Sequence, residues 1–165
     1  GTHSFANVQL ARYVTAMANR GTVFELSVID KVTDSQGNLV EDYTPKISSH
    51  INIQESTWNT VQNGMRRVIQ YGSANKLFRE LKVNVAGKTG TAQESKTRGN
   101  HAFFISFAPF EAPQVAVTVN IPFGHSSSNA ASVAKEIYKL YFGQVTLDDV
   151  LKSTAQKSTD VRIGD

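Results

Sequence analysis

From Gln114 to Ile121 the apolar side chains Val115, Val117, Val119 and Ile121 alternate with Ala116, Thr118 and Asn120, the period of two expected of a strand. Just before it, His101 to Ala108 is apolar on both faces, which suits a central strand covered on two sides. The turn-forming run Pro109-Phe110-Glu111-Ala112-Pro113 separates them, so the two strands are expected to pair antiparallel. A third strand is expected over Val85 to Gln93, joined to the second by a polar loop over Glu94 to Asn100.

Elsewhere the period lengthens to that of a helix. Leu10, Val14, Met17 and Ala18 share one helical face within residues 8–20, with Gly21 as a C-terminal cap. Trp58, Val61, Met65, Val68 and Ile69 form a second stripe that stops at Gly72, with Asn52 and Glu55, or Ser56, as candidate caps. Gly64 inside that helix costs about 1 kcal/mol against alanine, which suggests another element packed closely on it, while Arg66 and Arg67 read as a solvated face. A last helix follows the serines at 126–128, with Val133, Ile137, Leu140 and Tyr141 as its buried stripe and Gly143 as its end.

Val23 to Val32 is β-rich, and Ser35-Gln36-Gly37-Asn38 supplies turn chemistry before Leu39-Val40, so a hairpin is expected there. Thr44-Pro45 to Ile53 reads as irregular, and Ser73 to Arg79 as a short helical turn. The fold class is therefore α+β, with helices packed on an antiparallel sheet. Residues 1–143 form the folded portion; residues 144–165 read as a poorly ordered tail, apart from one helical turn over Thr146 to Leu151.

Composition narrows the functional classes. A chain of 165 residues, 40% hydrophobic and 19% charged, supports one domain or part of one. Its formal charge of +3 is spread without any concentrated Lys or Arg run, so nucleic acid is not an expected partner. It has no cysteine, and its four histidines have no two at ligand spacing, so neither a metal site nor a cofactor is expected. His101, which opens a buried strand, reads as a packed, hydrogen-bonded core residue. No apolar run approaches the ~20 residues a membrane span needs, and no signal peptide is visible.

The unusual stretch is Val85-Ala86-Gly87-Lys88-Thr89-Gly90-Thr91-Ala92-Gln93, where small residues surround a single cation and several hydroxyls. Glycines weaken a strand interior, so Gly87 and Gly90 suggest that a ligand or another backbone lies against it. A phosphate-binding P-loop is excluded by spacing, because position 82 is Lys82 where that motif needs glycine.

Together with His101-Ala102-Phe103-Phe104, Gly64-Met65, Gly72-Ser73-Ala74, Gln9-Leu10-Ala11 and Ala18-Asn19-Arg20-Gly21, this stretch resembles the transpeptidase domain of class B penicillin-binding proteins of the elongation or division type. The resemblance runs over roughly residues 1 to 143 and implies part of a β-lactamase/transpeptidase-like fold. It further implies that Lys88 is catalytic, a fixed positive charge that assists proton transfer. Thr89, Gly90 and Thr91 become substrate-binding: the Thr89 hydroxyl for the substrate's carboxylate, Gly90 for close approach, and the Thr91 backbone N–H for the oxyanion hole. Strict alternation sends Lys88 and Thr89 to opposite faces, so both serve one cleft only at a strand rim.

The family's nucleophile motif Ser-x-x-Lys, without which no acyl-enzyme forms, is read as missing from this chain, which is therefore expected to be the C-terminal part of such a domain. Ser127-Ser128-Asn129 matches the family's Ser-x-Asn but follows Lys-Thr-Gly, and reads as helix capping. Implied partners are a D-alanyl-D-alanine stem peptide of peptidoglycan, β-lactam antibiotics, the rest of the transpeptidase domain, and proteins of an elongation or division complex. The implied location is the extracytoplasmic face of the bacterial membrane, through an anchor not in this chain. The parent is expected to be a peptidoglycan D,D-transpeptidase and this portion alone inactive. The alternative is a non-catalytic module of the same fold that holds a wall peptide or β-lactam.

Overall fold

A computed structural model describes residues 5–94 and 96–152. In chain order its elements are α1 (Asn7–Ala18), β1 (Thr22–Phe24), β2 (Lys31–Thr33), β3 (Leu39–Asp42), β4 (Ile47–His50), α2 (Glu55–Gln70), α3 (Asn75–Phe78), β5 (Ala86–Ala92), β6 (His101–Ala108), β7 (Val115–Ile121) and α4 (Ser127–Tyr141). The central sheet has the order β5-β6-β7, antiparallel throughout, with Lys88 opposite Ile105 and Ser106 opposite Val117. Its two faces belong to different cores. Ala102, Phe104 and Ala108 of β6 pack with Val117, Val119 and the Ala130, Ala131, Ala134 and Tyr138 side of α4. Phe107 points the other way, into a cluster with Met17, Ala18, Trp58, Met65 and Ala86.

The last helix is where it was expected, but its buried face is a different one. Ala130, Ala131, Ala134 and Tyr138 are sealed, whereas Val133, Ile137, Leu140 and Tyr141 face outward at 40–55% exposure. The sheet already supplies the bulk in Phe104, Val117 and Val119, so alanines on the helix let its backbone come close and only Tyr138 reaches in. Ser126 caps it as expected, its Oγ accepting the Ser128 N–H, and Asn129 donates to the Gly124 carbonyl.

α2 corrects four further expectations. Its first residue follows Gln54, which makes no side-chain cap bond, so neither Asn52 nor Ser56 caps it. Its buried positions are Trp58, Gln62, Met65 and Ile69, while Val61 is exposed. Gln62 belongs inside because its Nε2 donates to the Met17 and Ala18 carbonyls at 2.8 and 3.2 Å, groups that α1's own ladder leaves unpaired. Gly64 has no neighbouring atom within 4 Å of where a Cβ would sit, so no described element packs on it. Arg66 is not part of a solvated face: its guanidinium donates to the Val85 carbonyl and to Asn84 Oδ1, and Asn84 donates to Glu111. Burial lowers the Arg66 pKa, with Glu111 opposing the shift.

The segment read as irregular contains β4, which pairs with β1 from Thr22 opposite His50 to Phe24 opposite Ile47. Arg20 and Gly21 turn the chain out of α1 at φ +61° and +108°, and Gly21 donates back to the Ala16 carbonyl at 2.8 Å. A Cβ at Gly21 would lie 2.4 Å from the Ile51 carbonyl oxygen, so glycine also lets β4's exit close on α1. The expected hairpin is β2–β3, closed by Asp34, whose carboxylate accepts from Gln36, Asn38 and the Asn38 amide. Those bonds, the Asn38 amide foremost, lower its pKa.

Residues 147–152 form a helical turn, capped reciprocally by Thr146 and Asp149. The remainder of the expected tail, and His3, lie outside the described residues. No helix among the described residues is long and apolar enough to cross a membrane.

Candidate functional site

β5 is the outer strand of the sheet, paired with β6 on one side only among the described residues. Along its other side the Val85 carbonyl accepts from Arg66 and the Thr89 carbonyl from Lys88 Nζ, at 2.9 Å. Backbone groups of a strand alternate in direction, so residues 85, 87, 89 and 91 share that border and the Thr91 N–H points along it. Glycine at 87 avoids a clash, because a Cβ there would lie 2.7 Å from the Phe104 ring and 3.0 Å from the Ile105 carbonyl. At Gly90 a Cβ would meet only Phe103 Cβ, at 3.3 Å.

The pleat turns Lys88 and Gly90 toward Ile105 and Phe103, away from α4. A groove of about 470 Å³ lies there: Lys88, Thr89 and Gly90 form one wall, Phe103 and Ile105 the floor, and Leu10 of α1 the facing side. Lys88 is exposed and Thr89 half-buried, so a rim strand does bring both to one cleft, although their Cβ atoms leave opposite faces. Thr91 is exposed farther along the border and does not line the groove. An apolar floor, one exposed cation and a strand border that no described strand covers suit an extended ligand with a negative end.

His101 closes one end of the groove. Its Nε2 lies 2.9 Å from Glu94 Oε2, and its Nδ1 accepts the Phe123 N–H at 3.3 Å. That places the ring's proton on Nε2, donated to the carboxylate, and ties the exits of β5 and β7 to the start of β6. His101 is hydrogen-bonded as expected, but it is half-buried at the groove and not in the core. Among the described residues no group of three or more His, Cys, Asp or Glu could hold a metal ion.

The letters of the nucleophile motif are present after all. Ser73-Ala74-Asn75-Lys76 contains both Ser-x-x-Lys and Ser-x-Asn ahead of Lys-Thr-Gly, and Ser132-Val133-Ala134-Lys135 is a second Ser-x-x-Lys. The reading that placed every such motif elsewhere overlooked them. Their geometry is not that of a nucleophile with its base. Lys135 pairs with Glu136 at 3.2 Å, and α4 lies across the sheet from the groove. Asn75 donates to the Ile69 and Gln70 carbonyls, closing the end of α2, and Lys76 is exposed without a bond to Ser73. Ser73 instead lies against the site: its Oγ is 3.2 Å from Thr89 Oγ1.

The family model described as the penicillin binding protein transpeptidase domain matches residues 1–139. Among curated proteins the chain is similar to penicillin-binding protein 2A of Bacillus subtilis, 27% identical over 95% of this chain and 24% of that protein. It is also similar to the peptidoglycan D,D-transpeptidase MrdA of Haemophilus influenzae, 30% identical over 83% of this chain and 24% of that protein. Among solved structures, the D,D-transpeptidase domain of a peptidoglycan glycosyltransferase from Eggerthella lenta superposes with a TM-score of 0.69. It is 27% identical, over 81% of this chain and 31% of that one. The chain thus spans about a quarter of the length of the curated relatives it matches.

Proposed function

The chain belongs to the penicillin-binding protein transpeptidase domain family, and from that premise we propose that it supplies one wall of the active-site cleft of a serine D,D-transpeptidase. The observation that carries this reading is the border of β5 that no other described strand pairs with, with Lys88 and Thr89 on the groove beside it. A peptidoglycan stem peptide ending in D-alanyl-D-alanine, or a β-lactam in its place, lies along that border as an added strand. Thr89 donates to its terminal carboxylate, and the Thr91 N–H receives the oxyanion of the tetrahedral intermediate. Lys88 stands as the cation that steers the anionic substrate and lowers the cost of proton transfer at the attacking hydroxyl. That hydroxyl, with its own lysine, comes from another part of the parent domain. The parent works at the extracytoplasmic face of the membrane, held by an anchor outside this chain, in an elongation or division complex.

Labelled benzylpenicillin tests the reading on the complete parent. Acylation should be lost in Lys88→Ala and reduced about 100-fold or more when the Thr91 N–H is displaced, as for an oxyanion-hole donor elsewhere. Unchanged acylation in Lys88→Ala refutes the role given to the cation. Reversible binding without acylation in the wild type instead favours the non-catalytic module.

A further inference from the structure

Gly72-Ser73-Ala74 is built to hold one hydroxyl in one place. Gly72 turns so tightly on α2 that a Cβ would lie 2.9 Å from the Val68 backbone, and its N–H donates to the Arg67 carbonyl. Ala74 is 1% exposed, its N–H directed at the Val68 carbonyl, and Asn75 is bonded to the same helix end. Ser73, between these anchors, is itself exposed, with its Oγ 3.2 Å from Thr89 Oγ1. Nothing about α2's own stability requires a hydroxyl there.

We propose that Ser73 is a positioning residue that donates its proton to Thr89 Oγ1 and so commits the Thr89 hydroxyl to donate outward, to the carboxylate of a bound ligand. The reason is donor arithmetic. A threonine hydroxyl has one proton and two acceptor positions. Facing an anion it must donate, and its oxygen is then free to accept. Ser73 fills that acceptor position and removes the competing arrangement in which Thr89 donates to Ser73. It also restricts the Thr89 rotamer, and two hydroxyls in series polarise one another toward the anion. No proton is transferred and no bond is made. Ser73 is not the acyl acceptor, since its partner is a hydroxyl and not a base. This inference rests on the proposed function, which makes Thr89 the carboxylate-binding group.

The test uses the complete parent and two probes, benzylpenicillin and its methyl ester, which lacks the anionic end. Loss of one hydrogen bond between two neutral hydroxyls corresponds to roughly a two- to tenfold change. Ser73→Ala should lower the second-order acylation constant for benzylpenicillin roughly five- to tenfold and leave that for the ester unchanged. Ser73→Thr, which keeps the hydroxyl, should restore it. Added to Thr89→Ala, Ser73→Ala should have no further effect. Equal losses with both probes would overturn the proposal, as would no loss where Thr89→Ala shows one, or an acyl adduct mapped to Ser73. If Thr89→Ala itself fails to distinguish the two probes, the proposed function falls and this inference with it.

Discussion

The Tyr138 hydroxyl donates to Ser106 Oγ at 2.8 Å, joining α4 to the middle of β6 in a fully buried contact. Ser106 passes the bond on to the Val117 carbonyl at 3.4 Å. Replacing Tyr138 by Phe removes one donor and leaves Ser106 still bonded, at a cost of about 1 kcal/mol. Ser106→Ala strands the tyrosine O–H in the core and should cost more, about 1–3 kcal/mol. Urea unfolding of the two variants gives the order.

The same contact has a pH signature. Burial pushes the Tyr138 pKa above its ordinary value, against the smaller opposing pull of its bond to Ser106. The folded state therefore holds this proton at a pH where the unfolded state has lost it. Its contribution is intact below about pH 10, where unfolded tyrosine begins to ionise, and is lost as pH rises beyond that. Stability of the wild type should decline above pH 10 more steeply than that of Tyr138→Phe, as melts across the alkaline range would show.

Two glycines three residues apart on β5 should behave differently. Gly87→Ala forces a methyl against the Phe104 ring and the Ile105 carbonyl and should cost about 1–3 kcal/mol. Gly90→Ala meets only Phe103 Cβ, at 3.3 Å, so it should fold nearly as the wild type while narrowing the path to the β5 border. Thermal melts beside penicillin acylation rates separate a loss of fold from a loss of access.

Gln62 offers a check on the α1–α2 junction. Gln62→Leu keeps the volume but leaves the Met17 and Ala18 carbonyls without their buried donor, so a loss of about 1–3 kcal/mol is expected. Val61→Ala, one residue away and exposed, should stay within about 0.5 kcal/mol.

The outward face of α4 predicts a similar contrast. Ile137→Ser should change the stability of this chain little, whereas Ala134→Leu, at a position with no exposed surface, should overpack the core and cost about 1–3 kcal/mol. The reverse result would mean that the helix sits the other way round.

Periodicity found the three central strands and the three longer helices because each has enough residues for a repeat to show. It missed β4, where Ile47-Ser48-Ser49-His50 has no alternation and exists only through pairing with β1, more than twenty residues upstream. It chose the wrong side of α4 because a hydropathy stripe ranks Val133 and Ile137 above alanine, while the sheet selects for close approach. Polar side chains held by long-range bonds, Gln62 buried and Arg66 half-buried, carry no local signal at all. At the site, Lys88 to Thr91 stood out by composition and Gly72-Ser73-Ala74 by resemblance, but the contact of Ser73 with Thr89, sixteen residues away, exists only in the fold.

A border that no other described strand covers is open to any extended chain. Two molecules of this chain could align their β5 strands edge to edge, as unpaired strands do when nothing prevents it. Lys88 sets two ammonium groups against each other in that pairing, and the shared repulsion weakens it at low ionic strength. Concentrated salt, by screening that charge, should therefore promote self-association through the residues proposed to receive the ligand.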